Sequence, residues 1–278
     1  MAESLISTIE FQMSLLLFVA LAGYLLAARI NQSAVIGEIL VGIIIGPSLL
    51  GLITYTDFVA SVAHLGAIIL LFVVGLEFKL KDIFNLKYTW IALSGVIVPW
   101  IMGYYLAKLF GYDFGSAVFV GTALTATSIA ITANVLREMG KLQTDAAKAI
   151  IGAAVIDDVL SLLALSISTQ IVGGTFSVGS TAIILLKSIA FLGIGSYAGL
   201  KFLSPMVERL DRSNIAKKFP EFVFIFAMML AFLYAMAAEV IHLSAIVGSF
   251  LAGMVLEGAF VKHGKDYREG AEYLHIIF

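Results

Sequence analysis

Two adjacent carboxylates, Asp157 and Asp158, lie at the middle of an otherwise uncharged stretch running from about Ala149 to Thr169. A helix built from that stretch would cross a bilayer and bury both near its midplane, where an ionisable side chain is costly and marks a working site. Successive helical residues are about 100° apart in projection at 3.6 per turn, so the two cannot face one cavity and have different tasks. One can hold a cation or a proton while the other pairs with a base on another helix, because a buried charge is kept only when it is compensated.

The candidate oxygen partners, by residue type, lie about 30 positions earlier in Gly121-Thr-Ala-Leu-Thr-Ala-Thr-Ser-Ile-Ala-Ile-Thr132, where hydroxyl and small side chains replace Leu and Phe in mid-span. Such residues hydrogen-bond the backbone and make an unwound turn tolerable where it meets a wet cavity. The break is expected near Thr125 to Ser128, with Thr125 and Ala126 in the unwound part. Hydroxyls and carbonyls are hard ligands, and with a carboxylate they suit an alkali cation better than a transition metal. The expected site is Thr127, Ser128 and Asp158, with Na⁺ at Asp158; Gly152, Ala153 and Ala154 let the break approach. Glu77 and Ser161 are secondary candidates. A cation and a proton competing for one carboxylate give antiport if only the loaded form reorients. The absence of cysteine excludes disulfides, thiolate metal sites and cysteine nucleophiles, and no cofactor is expected.

The elements that position these groups are membrane helices. Of 278 residues, 61% are hydrophobic and 13% charged, a balance that a soluble core does not need. Apolar segments able to cross about 30 Å of hydrocarbon recur near 11–28, 34–52, 59–78, 88–109, 114–136, 146–169, 180–203, 220–239 and 241–257. The first is preceded by Glu3 and Glu10 without Lys or Arg, unlike a signal peptide, and is expected to stay. All but Lys108 and Lys187 of the 17 basic residues fall on one side of this nine-span arrangement, which makes that side cytoplasmic and the N-terminus external.

Ser33-Ala-Val-Ile-Gly-Glu-Ile-Leu-Val-Gly42 returns as Ser244-Ala-Ile-Val-Gly-Ser-Phe-Leu-Ala-Gly253. Under the charge-derived topology the two copies cross the membrane in opposite directions. Inverted repeats characterise secondary transporters, whose site lies where discontinuous helices of the two halves meet. Small residues at this spacing also simply let helices pack closely. At the same offset, counterparts of the fifth and sixth spans fall beyond Phe278, so the second copy is expected to be incomplete.

The motifs Gly152-Ala-Ala-Val-Ile-Asp-Asp-Val-Leu160, Thr125-Ala-Thr-Ser-Ile-Ala-Ile-Thr132, Val35-Ile-Gly-Glu-Ile-Leu-Val-Gly-Ile-Ile-Ile-Gly-Pro47 and Leu71-Phe-Val-Val-Gly-Leu-Glu77 resemble the second family of monovalent cation/proton antiporters, the NapA, GerN and Kef group. The likeness covers essentially the whole chain. It implies an all-α polytopic membrane protein with the NhaA- and NapA-like inverted-repeat antiporter fold, the second repeat incomplete. By this likeness residues 1–78 are panel or dimerisation helices, 79–175 the ion-binding core, 176–212 a linker helix, and 213–278 two further panel helices and the start of a tenth. It also implies that Asp158 carries cation and proton, that Asp157 pairs with a lysine on a later helix, and that Thr127 and Ser128 belong to a crossing helix. An aspartate at the first position of the pair is similar to electrogenic members, whereas Kef potassium exporters usually carry an amide there and add a nucleotide-binding domain.

The expected function is therefore Na⁺ or Li⁺ exchange for H⁺ by alternating access in a cell-membrane homodimer, without enzymatic activity and without nucleic acid. A Kef-type K⁺/H⁺ exchanger and a non-transporting sensor or scaffold are alternatives. An intramembrane aspartyl protease needs two facing carboxylates that share a proton, normally from separate helices. Glu38, Glu77 and Glu239, near span ends, read as structural or interfacial, and position alone assigns no partner to His64, His242, His263 or His275.

Overall fold

Every described element is helical. The computed structural model describes residues 8–83, 86–174, 177–219 and 221–257, so the helix expected to begin in 258–278 lies outside the described residues. Six helices are long and apolar enough to span a membrane, and the protein is a multi-pass membrane protein. The chain runs α1 (Ile9–Arg29), α2 (Ala34–Ile45), α3 (Asp57–Gly75), α4 (Leu80–Ile83), α5 (Leu86–Leu109), α6 (Phe114–Ala123), α7 (Ile129–Glu138), α8 (Asp145–Val172) and α9 (Val178–Ala198). A π-helical turn, Gly199–Leu203, joins α9 to α10 (Ser204–Asp211); α11 (Asn214–Lys218), α12 (Glu221–Val240) and α13 (Ala245–Leu256) follow.

Three of the nine expected spans are shorter than a membrane-crossing helix. The 34–52 segment is helical only to Ile45, because Gly46 precedes Pro47 and takes an extended conformation (φ −69°, ψ −177°), as the ring of a following proline favours. The 114–136 segment is two half-helices, α6 and α7. The 241–257 segment is helical from Ala245. In contrast, 180–203 belongs to a helical rod of 34 residues, Val178–Asp211, about 50 Å long at 1.5 Å per residue. Helix α5 continues through Pro99.

The related segments share a backbone design. After α1, the amides of Ile30, Asn31 and Gln32 donate to the carbonyls of Ala27, Ala28 and Ala27; after α12, those of Ile241, His242 and Leu243 donate to Ala238, Glu239 and Ala238. The corresponding bond at the next helix start, Ile36 to Ser33 in one copy, is Val247 to Ser244 in the other. Among the described residues, Asn31 (φ 52°) and His242 (φ 69°) are the non-glycine residues with positive φ, each at the left-handed position that closes a helix.

Close helix crossings also correspond. Gly37 of α2 sits on the Gly23 carbonyl of α1, and Gly248 of α13 sits on the Tyr234 carbonyl of α12. Helix α13 packs against α3 as well: a Cβ on Gly253 would lie 2.8 Å from the Gly75 Cα and would press on the Phe72 carbonyl. The most deeply buried apolar core lies there, with Leu71, Phe72, Phe250 and Leu251 at most 1% exposed. Gly42, the counterpart of Gly253, meets nothing within 4 Å.

Two polar contacts tie distant helices. His64 on α3 and Glu239 on α12 approach to 3.3 Å, both half-exposed, which gives His64 the partner that position alone could not assign. The Glu138 carboxylate at the end of α7 accepts from the Ala34 amide at the start of α2 at 2.9 Å. The hydroxyl of Ser33, the N-cap residue, makes no capping bond, so the cap comes from another element.

Replacing Gly253 by alanine places a methyl against backbone that cannot rotate away, and is expected to cost about 1–3 kcal/mol, measured as a lower melting temperature in detergent. Gly42→Ala, with open space around it, is expected to be neutral or to gain up to about 1 kcal/mol from helix propensity.

Candidate functional site

The break that separates α6 from α7 leaves Leu124 to Ser128 outside both helices. Helix α6 starts at Asp113, whose Oδ2 accepts from the Ser116 amide at 3.1 Å. Bonding by Ser116, from its side chain first and its amide second, holds the Asp113 carboxyl below its ordinary range. This exposed cap therefore survives as pH falls through the usual carboxylate range and is lost only below it. At the other end, Thr125 turns back on the helix: its amide and its hydroxyl both donate to the Thr122 carbonyl, at 3.1 and 2.8 Å. Thr125 is 1% exposed. Beyond it the chain opens, and Ala126, Thr127 and Ser128 are exposed.

A groove lies beside these residues. Its walls include Gly95 from α5, Thr127 and Ser128 from the break, Thr132 from α7, and Ala153 and Asp157 from α8. Of the small residues of α8, Ala153 and Ala154 line the groove next to the break and Gly152 does not. Thr132 is an addition that sequence reasoning had not placed in the site. Its hydroxyl donates to the Ser128 carbonyl at 3.3 Å, one turn into α7, and its position in the hydroxyl-rich run was the available signal.

The two aspartates diverge. Asp157, 6% exposed, faces the hydroxyl and backbone amide of Thr127. Asp158 turns toward the backbone amide of Ser244, the N-cap residue of α13. Its Oδ2 is buried without a hydrogen-bond partner among the described residues, and the buried Ser161 hydroxyl is in the same condition. Ser161 follows Asp158 by three positions, so both project from one face of α8. Thr127 and Ser128 are thus grouped with Asp157, whereas the sequence reading grouped them with Asp158. The rotation of α8 about its axis decides which aspartate meets the break, and residue order does not encode that rotation.

These placements define the local chemistry. Asp157 lies beside Thr127, whose hydroxyl donates to the Thr125 carbonyl at 3.4 Å. Asp158 and Ser161 retain buried oxygen capacity that no donor among the described residues fills. Buried polar atoms are normally satisfied, and an unfilled carboxylate oxygen beside an unfilled hydroxyl accommodates a proton or a hard monovalent cation. A protease dyad requires two carboxylates facing each other, which this divergence does not provide. Glu77 is not among the groups facing either aspartate; its backbone carbonyl accepts from Gln143 at 2.7 Å.

Removing the Ser161 hydroxyl as Ser161→Ala is expected to change stability by no more than about 0.5 kcal/mol in cation-free buffer, since no bond among the described residues is lost. Thr127→Val removes the hydroxyl that donates to the Thr125 carbonyl beside Asp157 and is expected to cost about 1 kcal/mol. Thermal unfolding of the two variants checks the contrast.

Residues 15–278 match the family model described as sodium/hydrogen exchanger, transmembrane. The chain is 32% identical over 261 residues to the Na(+)/H(+)-K(+) antiporter GerN of Bacillus cereus, covering 91% of this chain and 64% of that protein. Against the probable Na(+)/H(+) antiporter GerT of Bacillus cereus, it is 33% identical over 256 residues, covering 91% and 66%. A Na(+)/H(+) antiporter of Enterococcus hirae is 29% identical over 253 residues, covering 90% and 65%. The chain thus spans 64% to 66% of the length of these relatives. Each of them is named as a transporter rather than an enzyme.

Proposed function

Given that this chain belongs to the sodium/hydrogen exchanger family, we propose that it exchanges a monovalent cation for protons across the membrane, with Asp158 as the carboxylate that carries both. The observation that carries this reading is the buried Oδ2 of Asp158, without a partner among the described residues, on the same face of α8 as the equally unpartnered Ser161 hydroxyl. The family supports the reaction class, and the geometry supports the choice of aspartate.

In this reading the loaded carboxylate is neutral overall, as the acid or as an ion pair, and crosses a low-dielectric region at much smaller cost than the bare charge. The unloaded form is held back by that cost. Coupling then follows from mutual exclusion at one oxygen pair, without a separate gate for each ion. Asp157, in the groove beside Thr127, keeps a second negative charge near the site, which favours cation entry. Na⁺ or Li⁺ is the proposed substrate, and K⁺ is the alternative that the name of GerN brings to this chain. The remaining assignments belong to the same proposal: electrogenic alternating access, a panel comprising α1–α3, α12 and α13 against a core around α5–α8, a homodimer, and an external N-terminus.

The test is cation-driven proton movement in proteoliposomes containing the protein, with Na⁺, Li⁺ and K⁺ added in turn. Asp158→Asn is expected to abolish flux while melting at a temperature close to wild type; unchanged flux in this variant refutes the assignment. Competition for one carboxylate also predicts that the apparent KM for the cation rises by up to about tenfold for each pH unit lowered, at constant maximal rate. A KM independent of pH would point to separate cation and proton sites.

A further inference from the structure

Upstream of the break, one buried oxygen joins three helices. The Thr122 hydroxyl of α6 donates to the Val118 carbonyl at 2.9 Å. It accepts from the Trp100 indole N–H of α5 at 3.1 Å and lies 2.6 Å from the Ser168 hydroxyl of α8. A hydroxyl has one proton to give and two lone pairs to fill. With Ser168 as the donor in the short contact, Thr122 uses its entire capacity. Thr122 and Ser168 are 5% and 2% exposed and Trp100 is partly buried, so removing this oxygen takes the acceptor of both donors from a site with little access to water.

The position of the node matters as much as its saturation. Thr122 is in the last turn of α6, and its carbonyl receives both bonds from Thr125 that start the break. Side chain and carbonyl of one residue therefore connect the anchored helix to the turn that leads to Thr127 and Ser128. The adjacent crossing fixes the distance between α5 and α6: a Cβ on Gly121 would lie 2.7 Å from the Trp100 carbonyl, and one on Gly103 would lie 3.1 Å from the Gly121 Cα. Ser168 brings in α8, the helix that carries both aspartates. The node thus sets where the break leaves α6 relative to Asp157 and Asp158.

We propose that Thr122, through its bonds to Trp100 and Ser168, is a positioning residue that sets the geometry of the Leu124 to Ser128 break and thereby the affinity of the cation site. The consequence for affinity rests on the functional reading above; the consequence for the break does not. Thr122→Val keeps the shape and removes the hydroxyl, Thr122→Ser keeps the hydroxyl, and Trp100→Phe removes one donor while sparing the oxygen.

Amide hydrogen exchange read by mass spectrometry, on the whole protein in lipid nanodiscs, tests the break directly. In Thr122→Val the peptide covering Leu124 to Ser128 is expected to exchange about tenfold faster, with protection in the middle of α5 and α8 retained. Thr122→Ser is expected to match wild type, and Trp100→Phe to fall between. Unchanged exchange at the break in both Thr122→Val and Trp100→Phe, or an equal rise along every helix, overturns the proposal. In proteoliposomes, Thr122→Val is expected to raise the apparent cation KM about tenfold with a maximal rate within about twofold of wild type, and Thr122→Ser to restore it. A lower rate at unchanged KM also overturns it. If wild type itself moves no protons in response to cations, the functional reading fails while the exchange experiment still decides the role of Thr122.

Discussion

Hydrocarbon offers no hydrogen bonds, so each polar group that enters it needs a partner from the protein or from a cavity. This requirement shapes the whole centre of the molecule. A five-residue interruption between two half-helices exposes carbonyls and amides that a continuous helix would hide. Thr125 recovers part of the loss by bonding twice to Thr122, and Thr132 recovers a carbonyl at Ser128. Among the described residues, the buried side-chain atoms left without a partner are on Ser33, Arg137, Asp158 and Ser161, the last two on one face of α8. On α8 the unpartnered carboxylate oxygen and hydroxyl lie three residues apart, a pairing of oxygens that Ser33 and Arg137 do not offer.

Glycine contacts supply the rigidity that such a centre needs. Without a strong hydrophobic drive between helices in lipid, close backbone approach provides the van der Waals contact that holds them together. The crossings at Gly37, Gly248 and Gly253 are of this kind, each with a backbone carbonyl where a methyl group would otherwise sit. The pair α1–α2 and the pair α12–α13 are closed by the same three backbone bonds and the same left-handed residue. The likeness of the two segments therefore extends from side-chain sizes to hydrogen-bond geometry.

The sequence made the helices, the aspartate pair and the weak point of the fifth span legible, because each leaves a local composition signal: an apolar run, a charge inside it, or hydroxyls where Leu and Phe are usual. What depends on rotation or on long-range juxtaposition was not legible. Thr127 faces Asp157 rather than Asp158 because of the azimuth of α8, a quantity set by packing. The Trp100, Thr122 and Ser168 node joins residues 22 and 46 positions apart, each unremarkable by itself. Asn31 is a familiar left-handed residue, but His242 is less so, and only the backbone reveals their equivalence. The short helical extent of 34–52 was readable in principle from Gly46-Pro47, although hydropathy alone carried the expected span through it.

The two short helices α2 and α13 begin at serines whose hydroxyls do not cap them, and each start meets a carboxylate from the centre of the chain instead. For α2 the donor at Ala34 waits for Glu138, 104 residues later; for α13 the amide of Ser244 meets Asp158, which precedes it. A ribosome delivers these pieces in order. The first short helix must enter the membrane with its leading amides still seeking a partner, and it is completed only when the second half of the broken helix arrives. The second enters onto a carboxylate already in place. Otherwise similar hairpins therefore have unequal histories during biogenesis, the early one provisional and the late one templated.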